Sequence, residues 1–535
     1  MEWFDGACNP YLMHMAKVFP VSCLLLALLA CKGDGPKNKA VPGVPLVYFS
    51  FNGQIANDAL FNVFLWGNDS RLFSTGISGL CLDFAAQAPN RNPLLLTFPE
   101  QYSPSDYNGF TVAVWLKRRP NAADTSVVLS DCHTASGLLR GWRLMSLPLG
   151  RWRWELSDGQ RFFHVQWNDK SSPGKSEWMQ WGFAYSHPNR EAYLYRNGKK
   201  MAVVGLEDLD SLYYSGVLEI GGSMQTRNFA QYPYEGAVDE LSYWGRALTD
   251  DDMAALYEKD AGQQVQWDTK ASTVTVMTLN CSSLVWRRFL WEKAVAEIKR
   301  ADADIVMLQD ANMFGPFLFE KLGGQCYLRG NGLMVITKHR LGDTFRSAKD
   351  KNAAIVWVHP TSKFNLAVGS CWLTPLPSLN RLFDPRGIDP YAFIDEEDKK
   401  RGTELRLLLS NLHSIGDSDK KKAACLGFTL HSGSHLDWTT RNKEAYRGFV
   451  MEFPASHILQ KEGFSDAYRK YYPDETLFQG FTTKVGEQNK FNNRGHFIFT
   501  KGAHLELLQS KLFSFVPDSL PDAELAVWSE FVIDD

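Results

Sequence analysis

The pattern of hydrophobic and polar positions divides the chain into stretches of different rhythm. Residues 18–30 are almost continuously apolar, preceded by Lys17, and stop well short of the ~20 residues a helix needs to cross a bilayer. That is the signature of a signal-peptide core. From about residue 46 to 257 the chain reads as short β-like runs parted by Gly, Pro, Asn and Asp clusters, which predicts an antiparallel sandwich. Residues 110–117 (FTVAVWLK) alternate with period two. In residues 190–204, Asn197-Gly198 lies between two runs and predicts a tight hairpin, since both turn positions tolerate positive φ. Thr249, followed by three aspartates, predicts a helix N-cap.

Beyond a polar stretch, DAGQQVQWDTKAS at 260–272, the rhythm changes. Residues 273–280 read as a buried strand, 289–300 as a helix carrying Leu290, Ala294 and Ile298 on one face, and 304–310 as a second strand. Further strands are predicted at 332–337, 355–359, 365–373 and 423–428, with a helix at 404–412. Strands alternating with helices point to an α/β layer domain. The expected organisation is therefore a leader at 1–30, a polar tether at 31–43, a sandwich at 44–262, a linker at 263–272 and an α/β domain at 273–535.

Composition supports two folded domains and excludes disordered or disulfide-stapled classes: 535 residues, 44% hydrophobic and 22% charged. Fifty-seven basic against 60 acidic side chains leave a net charge of -3, so no global field points to nucleic acid, and no specific nucleic-acid partner is expected. Glu2 and Asp5 do not suit a positive leader, which places the expected start of translation at Met13 or Met15. The apolar run closes on Leu28-Leu29-Ala30-Cys31, which resembles the bacterial lipobox. That resemblance implies export, acylation of Cys31 and attachment to a membrane of a bacterial cell envelope. Six cysteines remain beyond the leader without CxxC or Cys/His metal spacing, and they favour buried free thiols; a bridge between Cys81 and Cys132 is the alternative in an oxidising compartment.

The segments VYFSFNG (47–53), FTVAVWLK (110–117), EAYLYRNGKK (191–200), LEIGG (218–222) and EGAVDELSYWGRALTDDDMAALY (235–257) together resemble the laminin-G/concanavalin A-like jelly roll. The resemblance implies a glycan or protein ligand, in some members with calcium, for which Asp239 is the candidate ligand or loop organiser. Trp142, Trp152, Trp154, Trp167, Trp178 and Trp181 are candidates for sugar stacking, weighed against the more ordinary place of aromatics in a sandwich core.

The second half is similar to the endonuclease/exonuclease/phosphatase superfamily, a four-layer α/β sandwich. MTLN (277–280) matches its first strand, DIVMLQD (304–310) its metal-site strand, and GLMVITK (332–338) the next; LGFTLHSGSHLDW (426–438) and GFSDAYRKYYPD (463–474) resemble an exported bacterial branch. The family implies a divalent metal (Mg, Mn or Zn) held by carboxylate and amide oxygens, and a base that activates water on a phosphodiester. Asn280 is retained, and Asp310 stands for the usual glutamate. Thr429 occupies the place of the catalytic aspartate, His431 that of the phosphate-orienting asparagine, and His496 that of another acid, while Asp522-Ala523-Glu524 replaces the terminal Ser-Asp-His. Losing the base alone costs ~10² to 10⁴ in rate. Asn280, Asp310, His431, Arg494 and His496 are thus the candidate site residues, Asn280 and Asp310 the candidate metal ligands, and Arg494 a candidate anion-binding group. A different site built from His431, His435, His496 and Asp310 would suit zinc or manganese, although His435 can equally hydrogen-bond within its own loop. The expected protein is a lipid-anchored surface binding protein with an inactive phosphodiesterase-fold module; the alternative is an active metal-dependent phosphodiesterase with a rewired site.

Overall fold

In a computed structural model the chain divides into Met1–Ala40 and a compact unit, Val41–Asp535. The structure describes residues 43–534 except 55–57, 60–63, 67–71, 85–92, 99–107, 120–124, 136–137, 169–176, 208–215, 224–232, 268–270, 331, 346–350, 377–378, 380–381, 383–386, 388, 414–421, 431, 484–491 and 516–523. The expected leader, the tether up to Pro42 and the lipidation site Cys31 lie outside the described residues.

The N-terminal half is a sandwich of two antiparallel sheets. One runs Phe162–Asn168, Arg151–Asp158, Leu138–Leu147, Ser126–Ala135, Val217–Ile220, Leu94–Thr97 and Phe64–Trp66 in spatial order. The other is centred on Gly109–Arg118, between Trp178–Ser186 and Gly236–Trp244. Alternation in the central strand sends Phe110, Val112, Val114 and Leu116 into the sandwich core. The opposite face is buried too, because helix Asp250–Ala261 covers it: Trp115 stacks on Tyr257 at 5.6 Å, and its Nε1 donates to Asp260 at 3.0 Å. That helix starts where expected. Thr249 Oγ1 accepts from Asp252 N while the Asp252 carboxylate accepts from Thr249 N, a reciprocal box that satisfies two orphan amides.

The predicted hairpin also forms, joining Glu191–Arg196 to Lys199–Gly205 through Asn197 (φ 50°) and Gly198 (φ 71°). Glycine is required at the second position, since a Cβ there would meet Tyr257, Val265 and the Ala254 backbone within 2.8–3.1 Å.

The C-terminal half stacks two sheets face to face. One contains Leu505–Ser514, Leu525–Ile533, Thr273–Asn280, Ile305–Gln309, Leu333–Thr337 and Gln325–Arg329, the other Arg340–Phe345, Ala353–His359, Asn365–Trp372, Lys422–Thr429, His496–Lys501 and Ser465–Asp466. Val276, Met307, Val335, Val356, Val368, Cys425 and Ile498 fill the space between them. Helices Trp291–Ala301 and Phe314–Leu322 pack on the outer face of the first sheet through Ala294, Ile298 and Phe319, and Thr403–Ser410 and Pro454–Lys461 cover the second through Leu405, Leu408 and Leu459.

The two halves are not joined by a free tether. Lys199–Gly205 of the sandwich pairs in parallel with Gln325–Arg329, Ala202 opposite Cys326 and Gly205 opposite Arg329, so one sheet runs through both halves. Polar and apolar contacts back the seam. Lys200, 4% exposed, meets Asp250 at 2.9 Å and donates to Gly342 O at 3.3 Å. Thr344 donates to Glu191 at 2.7 Å, and Trp167 lies edge-on to Phe319 at 5.9 Å. Within the expected linker, Trp267 sits between Lys199 and Arg340, with ring distances of 5.2 and 5.3 Å.

A shared sheet should unfold as one unit. Lys200→Ala would leave Gly342 O without this donor and Asp250 with Tyr195 alone, and it is expected to lower stability by roughly 1.5–3 kcal/mol. Near-UV circular dichroism of the sandwich indoles and hydrogen exchange at Gln325–Arg329 should report the same single transition.

Candidate functional site

The parallel strands Thr273–Asn280, Ile305–Gln309 and Lys422–Thr429 all point their C-terminal ends at one rim of the paired sheets. This is where α/β sheets ordinarily carry chemistry. The antiparallel strand His496–Lys501 begins at the same rim, with His496 opposite Thr429, and Glu524 sits just ahead of Leu525–Ile533. The candidate residues Asn280, Asp310, His496 and Glu524 therefore gather at one edge, while His431 lies outside the described residues.

The floor of this edge is a network of buried side-chain hydrogen bonds. Thr429, 0% exposed, donates its hydroxyl to Gln309 Oε1 at 3.1 Å and receives Asn280 Nδ2 at 3.4 Å. His496 Nδ1 lies 3.1 Å from the same hydroxyl oxygen. The threonine gives its one proton to Gln309, and the His496 ring nitrogen is the third partner of its oxygen. Gln309 Nε2 in turn faces Thr278 Oγ1 at 3.1 Å and Ser370 Oγ at 3.0 Å. Asn280 Oδ1 is also taken, accepting Ser282 N at 2.8 Å.

Above this floor stand two carboxylates. Glu524 lies 3.5 Å from His496 Nε2 and accepts from Ser282 Oγ at 3.4 Å. Asp310 follows Gln309 in the left-handed region (φ 51°), and burial, reinforced by the charge of Glu524, pushes its carboxyl above the usual range. A cleft of about 330 Å³ opens here, lined by Ser282, Ser283, Trp286, Arg287 and Glu524.

The amide oxygens of the floor are not available to a hard divalent cation. Such an ion takes oxygen ligands, six to eight for calcium, and for magnesium one or two carboxylates completed by water or substrate phosphate. The amide oxygens of Asn280 and Gln309 are already spent within the protein, and among the described residues no three His, Cys, Asp or Glu side chains converge on a common ion position.

Three expectations require correction. Arg494 is not an anion-binding group: it is 0% exposed, with Nε on Asp437 at 2.8 Å and Nη1 and Nη2 on Asp466 at 2.9 and 2.5 Å. Burial alone would lower its guanidinium, yet Asp437 and Asp466 hold it above its usual value. Arg469 closes the quartet by donating to Asp437 Oδ1 at 2.6 Å. The proposed His435 contribution to a zinc-type site also fails, because both ring nitrogens are engaged by helix Pro454–Lys461, with Ser456 at 2.8 Å and Gln460 at 2.7 Å, and not within the histidine's own loop. Cys81 and Cys132 are not bridged; Cys81 lies 3.2 Å from Ser74 Oγ, and Cys132 donates to Trp142 O at 3.1 Å.

In the sandwich, Trp142, Trp152, Trp154, Trp167 and Trp181 are buried; Trp142 stacks on Phe183 at 4.7 Å and Trp152 packs on Trp181 at 5.1 Å. Five of the six candidate sugar platforms are thus core. Trp178 is half-buried under Lys117, whose Nζ stands 5.9 Å from its ring. Asp239 is buried and serves the backbone, accepting from Ile77 N at 2.8 Å and Glu240 N at 2.9 Å. That geometry organises the loop and leaves the carboxylate poorly placed for calcium.

Two contributors were not singled out in the sequence. Gln309 is the hub of the floor; its only signal is an amide closing four apolar residues in DIVMLQD. Trp286, 91% exposed, marks the rim and carries no motif.

Residues 96–254 match the concanavalin A-like lectin/glucanases superfamily, and this defines the sandwich as a laminin-G/concanavalin A-like region. An uncharacterized protein of Caenorhabditis elegans, F14F9.5, is 35% identical over 80 residues, covering 13% of this chain and 25% of that protein. Solved structures similar to the chain include the botulinum neurotoxin serotype D binding domain, at 14% identity and TM-score 0.34 over 43% of this chain and 58% of that one. The binding domain of botulinum neurotoxin DC in complex with rat synaptotagmin II aligns at 12% identity and TM-score 0.34, with the same coverage of both chains. The chain spans a quarter of the curated relative and somewhat over half of these domains.

Two outcomes follow from the geometry. Because the folded chain holds the Asp310 proton more tightly than the unfolded chain does, the stability linked to this group is complete below the usual carboxylate range and is lost as pH rises through the raised value. Asp310→Asn, which also tolerates positive φ, should flatten that loss in urea titrations and be more stable than the wild type at neutral pH. Arg494→Met leaves Asp437 and Asp466 facing each other without their shared cation, and the same titrations should show a loss of ~3–5 kcal/mol.

Proposed function

We propose that the chain is an exported, lipid-anchored binding protein whose laminin-G-like sandwich is fused to a catalytically silent module of the endonuclease/exonuclease/phosphatase type. The arrangement of helix, sheet, sheet and helix supports the second assignment, together with the order of the motifs along it. The anchor is read from the apolar run ending at Cys31, and the envelope of a bacterial cell is the corresponding location. The ligand is a glycan or a protein rather than a nucleic acid.

One observation carries the silent-module reading. At the position where the fold's chemistry requires a carboxylate base, Thr429 is enclosed by Gln309, Asn280 and His496. A hydroxyl with its proton committed to an amide neither accepts a proton from water at neutral pH nor holds a cation. Asp310, in place of the usual glutamate, and Glu524, in place of the terminal histidine, are the acids at the rim, and they repel each other across it.

The discriminating assay uses residues 41–535 with bis-p-nitrophenyl phosphate and Mg²⁺, Mn²⁺, Ca²⁺ or Zn²⁺ in turn, beside an Asp310→Ala control. No turnover above the control is expected with any metal. Metal-dependent turnover that disappears in Asp310→Ala would establish instead a working phosphodiesterase with a rewired site.

A further inference from the structure

The turn between helices Ser282–Val285 and Trp291–Ala301 presents two aromatic rings and two guanidinium groups to solvent. Trp286, the residue that ends the first helix, is 91% exposed, and Phe289, in the short turn Arg288–Leu290, is 78% exposed. The base of the turn is held firmly. Leu284 and Leu290 are buried, Arg287 N donates to Leu284 O at 3.1 Å, Leu290 N donates to Arg287 O at 2.9 Å, and Trp291 Nε1 also reaches Leu284 O at 2.9 Å. The two exposed rings are therefore displayed by an ordered element.

Arg287 and Arg288 lie between the rings in the sequence. Arg287 Nη1 reaches only the Ser283 carbonyl, at 3.4 Å, and Arg288 stands over the Trp291 ring at 5.5 Å. Among the described residues neither guanidinium meets a carboxylate, whereas nearby Glu292 is already paired with Lys321 at 2.9 Å. Two planar forks are thus free to take phosphate oxygens.

We propose that the Trp286–Phe289 turn docks the folded protein on an anionic phospholipid surface. The rings would enter the boundary between headgroups and acyl chains, and Arg287 and Arg288 would engage lipid phosphates. Size and charge select this occupant. Four residues offer far less than the roughly 800 Å² per partner of a stable protein interface. Trp286 and Arg287 border the cleft beside Glu524, but Arg288 and Phe289 carry the exposed face beyond it, so the four groups spread over open surface and do not enclose a small ligand, and insertion into an interface needs no enclosure. This contact is separate from acylation at Cys31. It places the rim holding Asp310, Glu524 and the cleft against the bilayer, and it does not depend on whether the module is catalytically silent.

The test is cosedimentation of residues 41–535, which form one compact unit and lack the apolar leader, with vesicles of phosphatidylcholine alone or with about a third phosphatidylglycerol. Binding is expected to the anionic vesicles, to weaken at high salt, and to fall on the order of 10-fold or more in Arg287→Ala/Arg288→Ala, at about 5-fold per arginine. Trp286→Ala/Phe289→Ala should lose binding comparably, with an unchanged melting temperature. The proposal is overturned by absence of binding to anionic vesicles, by binding that both double variants retain, or by equal binding to neutral vesicles. It is also overturned if the same variants lose capture on a glycan array while the wild type ignores vesicles.

Discussion

A fully buried position at a strand end tolerates a neutral hydroxyl with three partners far more readily than a carboxylate without a cation, and Thr429 is such a position. Its hydrogen bonds tie the first sheet, through Asn280 and Gln309, to the second, through His496. The Gln309 amide extends the tie to Ser370 on a further strand. The rim is thus closed by the protein's own polar groups, and the amide oxygens that would face an ion face their neighbours. Asp310 and Glu524 stand above this floor, Glu524 in the wall of the cleft.

Elsewhere charge has become structural rather than absent. The Arg494–Asp437–Asp466–Arg469 quartet buries two guanidinium groups and two carboxylates under the loop around Trp438, which stacks on Tyr446 at 4.2 Å. The seam at Lys200 does similar work between the halves. Because one sheet passes from the sandwich into the C-terminal layers, the laminin-G-like half has a permanent neighbour along the edge strand Lys199–Gly205. Its large indoles are committed to its own core, so recognition of any ligand falls to loops and rims.

Much of the local structure was legible in the sequence. The period-two run at 110–117, Asn197-Gly198, the Thr249 cap and the strand at 273–280 each form as the pattern predicts, because each is decided by neighbours a few residues away. Asn280 and Asp310 were placed at the ends of predicted strands, but their meeting with His496 at one rim was not legible, since His496 lay in no predicted strand. What was not legible rests on distant partners. Arg494 reads alike as a free cation or as a buried ion pair until Asp437, 57 positions away, is found beside it. Lys200 meets Gly342 across 142 positions. The six tryptophans looked like a possible platform because composition does not tell which face of a strand is covered; the packing of two sheets decides that. Gln309 carried little signal because an amide at a strand end reads alike as solvent-facing or buried until its partners Thr278, Ser370 and Thr429, 31 to 120 positions away, are found beside it.

The claim that the polar groups of this rim serve internal hydrogen bonds and do not hold an ion is tested most directly by measuring divalent binding itself. Mn²⁺ added to residues 41–535 and followed by electron paramagnetic resonance should remain free at micromolar concentrations. A site occupied at those concentrations, and abolished by Asp310→Asn or Glu524→Gln, would contradict the account.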